Sequence, residues 1–405
     1  MRFAHIADCH LGAWREPKLQ QLNLEVFRRA IGMCISEKVE FVLIAGDLFD
    51  IAMPPIEILE ETFAQFRKLK EAGISCYLIA GSHDFSVSGK TFLNVLEKAG
   101  FCTNIARFTE NGDNTLLEFF IEGDLLLAGL PGKKAGLERN MFRNLVMDDL
   151  KKHSDKIRIF MMHTTITEVK PKELEAVETI DGVYLPDGFD YYAAGHLHKV
   201  KEKIIDKRHV IYPGPLFPNN FGELEELKAG NFCIVEIDKN NRFPQVERIE
   251  IKLKDVLTIE IDVTNKDAET ATQLVVKEIS NSQIADKIVL LKMRGKLNGK
   301  TSDIKFDAIN AQLADAYAHL RNTSDLSSSE LEIEVKTKSD NIDEIEQEVL
   351  KRYEMQQDDG FSGFMLNIIK SLDMEKREGE TSTAFESRVN EEAIRILGIK
   401  EMMEK

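Results

Sequence analysis

Cysteine is scarce in this chain: Cys9, Cys34, Cys76, Cys102 and Cys233 are the five found in 405 residues, an odd number with no CxxC pair. That pattern excludes a disulfide framework and a thiolate zinc site. Cys9 lies between Asp8 and His10, but strand alternation turns it to the opposite face, and it reads as core. No apolar run approaches the ~20 residues that cross a bilayer. The opening Met1-Arg2-Phe3-Ala4-His5-Ile6-Ala7-Asp8 lacks a signal-peptide pattern. A cytoplasmic protein with no membrane partner is expected. A basic excess is missing too: Lys and Arg number 53 against 69 Asp and Glu, for a formal net charge of −16. A chain that binds nucleic acid usually carries a basic footprint. The sign weakens that class of partner without excluding it, because acid can gather at a metal site and in a tail while one face stays basic.

What is present is an alternation of short apolar runs with amphipathic helices, in a chain long enough for more than one domain. Strands are expected at Arg2–Ala7, Glu40–Ala45, Ser75–Ala80, Leu125–Leu130, Ile157–Met162, Tyr191–Ala194, Val210–Tyr212 and Asn231–Ile237. Helical spacing runs through Leu19–Ser36 and Ile56–Ala72, the second opened by Pro54-Pro55 and closed by Gly73. The pattern predicts an α/β layered domain. A second, α+β module follows, with strands at Val256–Val263 and Lys287–Lys296 and helices at Asp267–Ile279 and Ile304–Ala318. Asn322–Glu330 reads as a loop and Leu331–Val335 as a further strand. Beyond Lys336 the chain turns acidic and helical. The boundaries are drawn at 1–240, 250–337 and 340–405.

The chemical signal is a polar cluster recurring after each apolar strand. Asp8 and His10 follow the first and Asp47 the second, in Gly46-Asp47-Leu48-Phe49-Asp50. Ser82, His83 and Asp84 follow the third. His163 ends Ile159-Phe160-Met161-Met162, and His196 and His198 follow Ala193-Ala194-Gly195. In an open α/β sheet, ligands bind outside the carboxyl ends of the strands. Two carboxylates and four imidazoles suit Mn2+, Fe2+ or Zn2+ better than Ca2+ or Mg2+. They exceed what one ion needs, and a shared carboxylate can bridge two ions ~3.5–4 Å apart. Any one of these fragments alone is an ordinary turn; five in this order on strand ends are not. His5 falls inside a strand and reads as buried structure.

The order Asp-x-His, Gly-Asp, Gly-Ser-His-Asp, His, Gly-His-x-His resembles the calcineurin-like metallophosphoesterases. Ile6-Ala7-Asp8-Cys9-His10-Leu11-Gly12, Gly46-Asp47-Leu48-Phe49, and Tyr212-Pro213-Gly214-Pro215 with Phe221-Gly222-Glu223 resemble, within them, the Mre-eleven / SbcD family of DNA double-strand-break repair nucleases, of archaeal type. The resemblance implies a β-sandwich with flanking helices over 1–240, a DNA-capping domain over 250–337 and a helical ATPase-binding region over 340–405. It implies two Mn2+ ions, with Mg2+, Fe2+ or Zn2+ as alternatives. One would be held by Asp8, His10, Asp47 and His198, the other by Asp47, Ser82, His163 and His196. His83 would stand beside the scissile phosphate, oriented by Asp84.

The implied activity is 3′–5′ exonuclease on double-stranded DNA and endonuclease on single strands, in a homodimer bound to a Rad-fifty-like coiled-coil ATPase through the C-terminal helices. A DNA-end-binding scaffold with weak turnover is the second reading, and a phosphatase the third. Two departures feed the scaffold reading: Ser82 where the family usually has Asn, and Asp50 where some archaeal relatives have His. Lys133, Lys134, Lys199, Lys201, Arg294 and Lys296 are candidate phosphate contacts, set against the alternative of a solvated charged face.

Overall fold

The computed structural model describes residues 1–85, 91–133, 138–170 and 179–328, and singly Phe385, Arg388, Val389, Glu391 and Arg395. Lys134, the Leu331–Val335 strand and, apart from those five residues, which are helical, the helices expected in 340–405 lie outside the described residues. In chain order the main elements are β1 (Arg2–Ile6), α1 (Pro17–Ser36), β2 (Phe41–Ala45), α2 (Ile56–Glu71), β3 (Ser75–Ile79), β4 (Leu125–Leu130), β5 (Ile157–His163), β6 (Tyr191–Gly195), β7 (Arg208–Tyr212), α3 (Phe221–Leu227), β8 (Gly230–Glu236), β9 (Val256–Asp262), α4 (Ala268–Asn281) and β10 (Ile288–Leu297).

Two six-stranded sheets form the body. The first runs Gln245–Ile251, β8, β1, β2, β3, Thr103–Asn104; the second runs Lys201–Ile205, β7, β6, β5, β4, Phe120–Glu122. β1, β2 and β3 are mutually parallel, as are β4, β5, β6 and β7. Their apolar runs are nearly continuous because both faces are covered. On one face Phe3, Phe41, Leu43 and Tyr77 of the first sheet pack with Leu127, Ile159, Met161 and Tyr191 of the second. The alternate residues Ala4, Ile6, Val42 and Ile44 turn the other way, onto Phe27 and Ile31 of α1 and Phe66 and Leu69 of α2. This is the sandwich with flanking helices that the resemblance implies, and a layered α/β arrangement as the residue pattern predicts.

α1 forms because Leu19, Leu22, Val26, Phe27, Ala30, Ile31 and Cys34 recur at three- and four-residue spacing and all are buried. Pro17 opens it behind the Glu16 cap. α2 follows Pro55 and stops before Gly73, whose φ of +72° ends the turn.

Two compact units divide the chain: Met1–Asp262 with Thr272–Arg294 and Lys305–Asp325, and Val263–Ala271 with Gly295–Ile304 and the described residues from Leu326. In the first, β9 pairs in parallel with β10 from Val256↔Ile288 to Asp262↔Arg294. Here two expectations are corrected. Ile304–Ala318 is not one helix: the helix covers Phe306–Gln312, and Ala318–Asn322 is a strand parallel to β10. Pairing with β10 and burial of Ala318 override the local helix preference. Nor is all of Asn322–Glu330 loop, since within the second unit Leu326–Ser328 pairs with Gly295–Leu297. No helix among the described residues is long and apolar enough to cross a membrane.

Candidate metal centre

The carboxyl ends of β1, β2, β3, β5 and β6 deliver the polar residues, and the backbone is forced to do it. Asp8, His10, Asp47 and His196 have φ of +50°, +42°, +48° and +83°. Left-handed geometry at non-glycine residues costs about 1–3 kcal/mol each and persists only where the surroundings over-determine it. Here loop-to-loop hydrogen bonds impose it: Asp8 N–H to Gly46 O at 3.1 Å, His10 N–H to Asp47 O at 3.0 Å, and Leu216 N–H to Asp8 O at 3.2 Å. Gly46, at φ +88°, lies against the His163 ring, and Gly81 lies against the Asp47 carboxylate; a methyl group at either would overlap those side chains.

Two clusters result, Asp8–His10–His198 and Asp47–His163–His196, each with its ligating atoms within 4.8 Å. Two of three imidazoles are held by hydrogen bonds from their outer nitrogens: His163 Nδ1 donates to Ala45 O at 2.8 Å and His198 Nδ1 donates to Glu223 Oε1 at 2.9 Å. The third, His10, has a buried Nδ1 without an aligned hydrogen bond, at ion-pair distance, 3.3 Å, from Asp50 Oδ1. The three Nε2 atoms converge. His163 Nε2 is 3.0 Å from Asp47 Oδ2, His10 Nε2 is 3.6 Å from the same oxygen, and His10 Nε2 and His198 Nε2 stand 3.1 Å apart. Metal-binding histidines are oriented this way, with the second nitrogen donating to a carboxylate or carbonyl. Asp8 Oδ1 accepts from His196 N–H at 2.9 Å, whereas Asp8 Oδ2 is buried without a hydrogen-bond partner. A buried carboxylate oxygen left unpaired is costly, and a cation would satisfy it. The donor set fits a pair of divalent ions.

The charges agree with that geometry. Burial would push the Asp47 carboxyl up, but the charge and hydrogen bond of His163, with His10 and the His83 amide, hold it well below its usual range. Burial likewise opposes protonated His163, yet Asp47 and Asp8 raise its pKa to about 10. His198 goes the same way against burial, raised to about 9 chiefly by Glu223 and Asp8. Burial and the neighbouring His163 push His196 down to about 3. Without ions, two imidazolium protons offset the carboxylates; divalent ions would take their place.

His83 is exposed at the mouth, with Nδ1 donating to Asp50 O at 2.7 Å and its amide donating to Asp47 Oδ1 at 2.8 Å. The expected Asp84–His83 hydrogen bond is replaced by another arrangement. The buried Asp84 carboxylate accepts from the amides of Gly81, Leu48 and Phe49 at 2.8, 3.3 and 3.1 Å. It ties the β3 turn to the β2 turn, and burial together with Asp47 raises its pKa to about 7. Ser82 sits half-buried between Gly81 and His83. Glu223, seen in the sequence only as part of Phe221-Gly222-Glu223, and Asp50, expected only as a departure from the His of some archaeal relatives, both face candidate ligand imidazoles. His5 is structural as expected: Nδ1 lies 2.9 Å from Tyr191 OH, and burial lowers its pKa to about 3.

Three of the five described candidate DNA-contacting cations have acidic neighbours. Lys133 Nζ is 3.5 Å from Glu110, Lys199 Nζ 3.0 Å from Glu226, and Arg294 Nη1 3.0 Å from Glu260. Lys201 is exposed on an edge strand, and Lys296 belongs to the second unit.

Residues 1–200 match the calcineurin-like phosphoesterase family. A DNA double-strand break repair protein Mre11 from Sulfolobus acidocaldarius is 25% identical over 370 residues, covering 87% of this chain and 90% of the relative. The protein of the same name from Archaeoglobus fulgidus is 25% identical, covering 97% and 89%. An uncharacterized metallophosphoesterase, YhaO, of Bacillus subtilis is 29% identical over 53% of this chain and 52% of its own length.

Proposed function

We propose that this chain, a metal-dependent phosphodiesterase of the calcineurin-like family resembling the Mre11 proteins, cleaves DNA at double-strand breaks. The specific reading is a Mn2+-dependent exonuclease on double-stranded DNA, 3′–5′, and endonuclease on single strands. It works as a cytoplasmic homodimer with a Rad-fifty-like ATPase. The observation that carries the catalytic part is the convergence of imidazole Nε2 atoms and carboxylates beside an exposed histidine. Likeness to the Mre11 proteins along most of the chain supports the DNA part.

Asp8, His10, Asp47 and His198 would hold one ion, and Asp47, Ser82, His163 and His196 the other, with Asp47 shared. A pair of ions held there would supply an activated water and charge neutralisation for a phosphodiester. The chain's own residues supply the rest. His83, with Nδ1 donating to Asp50 O, has Nε2 left for the substrate, where it stabilises the developing charge or protonates the leaving oxygen. Asp84 holds the turn that carries His83. The 250–337 module would cap the DNA. Lys133, Lys134, Lys199 and Lys201 of the 1–240 domain and Arg294 and Lys296 of the module are the candidate phosphate contacts, and the 340–405 region would meet the ATPase.

Labelled duplex DNA incubated with Mn2+ tests the reading, comparing wild type with His83→Gln and Asp47→Ala. Cleavage lost in both variants supports the nuclease. DNA binding without cleavage by wild type under any divalent metal replaces it with the end-binding scaffold.

A further inference from the structure

Asp50 stands between two imidazoles. Its Oδ1 lies 3.3 Å from His10 Nδ1 and 3.8 Å from His83 Nδ1, and its main-chain carbonyl accepts from His83 Nδ1 at 2.7 Å. The three residues form a compact group. A third ion could be imagined among them, but both nitrogens of His10 already have a direction. Nε2 faces Asp47 and His198, at 3.6 and 3.1 Å, which leaves Nδ1 for Asp50. An imidazole that ligates through one nitrogen carries its proton on the other, and a carboxylate accepting that proton fixes both ring orientation and tautomer. Glu223 already does this for His198.

We propose that Asp50 is a positioning residue with two separate duties. Its carboxylate holds His10 with Nδ1 protonated and Nε2 turned to the metal centre. Its carbonyl holds His83 with Nδ1 protonated and Nε2 turned to the mouth. Substitution of the side chain removes the first duty and leaves the second, because every residue has a carbonyl. The proposal rests on the metal-dependent phosphodiesterase reading and is independent of DNA as the substrate.

The test has two parts. In the Zn2+-loaded full-length wild type, 15N NMR of the imidazoles is expected to find both His10 and His83 protonated at Nδ1. Titration with Mn2+ is expected to show an affinity lowered roughly 10- to 100-fold in Asp50→Ala. Asp50→Asn, which keeps an acceptor oxygen, should fall between that and wild type, and His83 should stay protonated at Nδ1 in both variants. A His10 proton on Nε2 in the wild type overturns the proposal, and that measurement does not depend on any variant folding. Equal Mn2+ affinity in all three proteins overturns it as well. A wild type that binds neither Zn2+ nor Mn2+ sinks the metal-dependent reading beneath it, a result distinct from both.

Discussion

Glu223 offers a quantitative test of the metal centre in the absence of metal. Its Oε1 accepts from His198 Nδ1 at 2.9 Å and its Oε2 from Asn219 N–H at 2.8 Å, while its own amide donates to Asn220 Oδ1 at 3.0 Å in the cap of α3. Glu223→Gln keeps an acceptor for the cap and removes the charge facing the imidazole. His198 is raised from 6.5 to about 9. At 1.36 kcal/mol per unit the whole shift is at most ~3.4 kcal/mol. Asp8 and Asp47 share it with Glu223, and a charge-assisted hydrogen bond contributes ~1.5–3 kcal/mol, so a loss of ~2 kcal/mol is expected for the variant. The sign follows from linkage. A histidine whose folded pKa is raised adds stability that is complete below the unfolded value of 6.5 and vanishes as pH climbs through about 9. Metal-free wild type and Glu223→Gln should thus differ most at pH 6 and converge by about pH 10. Urea unfolding can be followed by the single tryptophan, Trp14, which is buried and donates to Pro218 O at 3.0 Å, just ahead of α3. A gap that stays constant across this pH range would refute the imidazolium pair and leave only a capping effect.

Further outcomes follow from the same geometry. With His163 raised to about 10 and His198 to about 9, loading of Mn2+ must expel protons near neutral pH. Calorimetry in buffers of different ionisation enthalpy should find proton release approaching two per protein, and affinity should rise with pH; zero release would contradict the assignment. Ser82→Asn, which lengthens a short hydroxyl arm to an amide oxygen, should tighten Mn2+ binding and raise turnover, and equal affinity in the two forms counts against Ser82 as a ligand. His83→Gln should lower kcat by roughly 10^2–10^4-fold with the number of bound ions unchanged; a matching loss of metal would make His83 part of the ion site instead. Gly46→Ala should destabilise the metal-free protein by more than ~1 kcal/mol, because φ is +88° and the new methyl meets the His163 ring; an unchanged urea midpoint would show that the turn can relax.

Much of this was legible in the chain because strand ends announce themselves. The runs ending at Ala7, Ala45, Ala80 and Gly195 are apolar until the residue at which chemistry begins, and burial on both faces of a parallel sheet requires that abruptness. The second module was less legible. Ala308, Ala311, Ala314 and Ala316 favour a helix locally, and only pairing with β10, from Ile288↔Ala318 to Lys292↔Asn322, turns the end of that segment into a strand. Short edge strands such as Thr103–Asn104 and Leu145–Met147 carry too few residues for a period to show.

The residues around the site were hidden for a different reason: their roles belong to the partner each one meets, and residue type does not report the partner. Asp84 looked like the natural mate of the adjacent His83, yet a carboxylate accepting three backbone amides at once is worth more to the turn than to one ring. Asp50 counted only as a departure from the His of some archaeal relatives, but its carboxylate lies 3.3 Å from His10 Nδ1, and that leaves it less free to face substrate. Positive φ at Asp8, His10, Asp47 and His196 was equally unreadable, since Asp and His are tolerated there without requiring it. Four strained residues in one crevice are sustained by the loop hydrogen bonds and by the glycines that make room for them. The sequence displays the candidate ligands on separate strands, and only the fold reveals what holding them together demands.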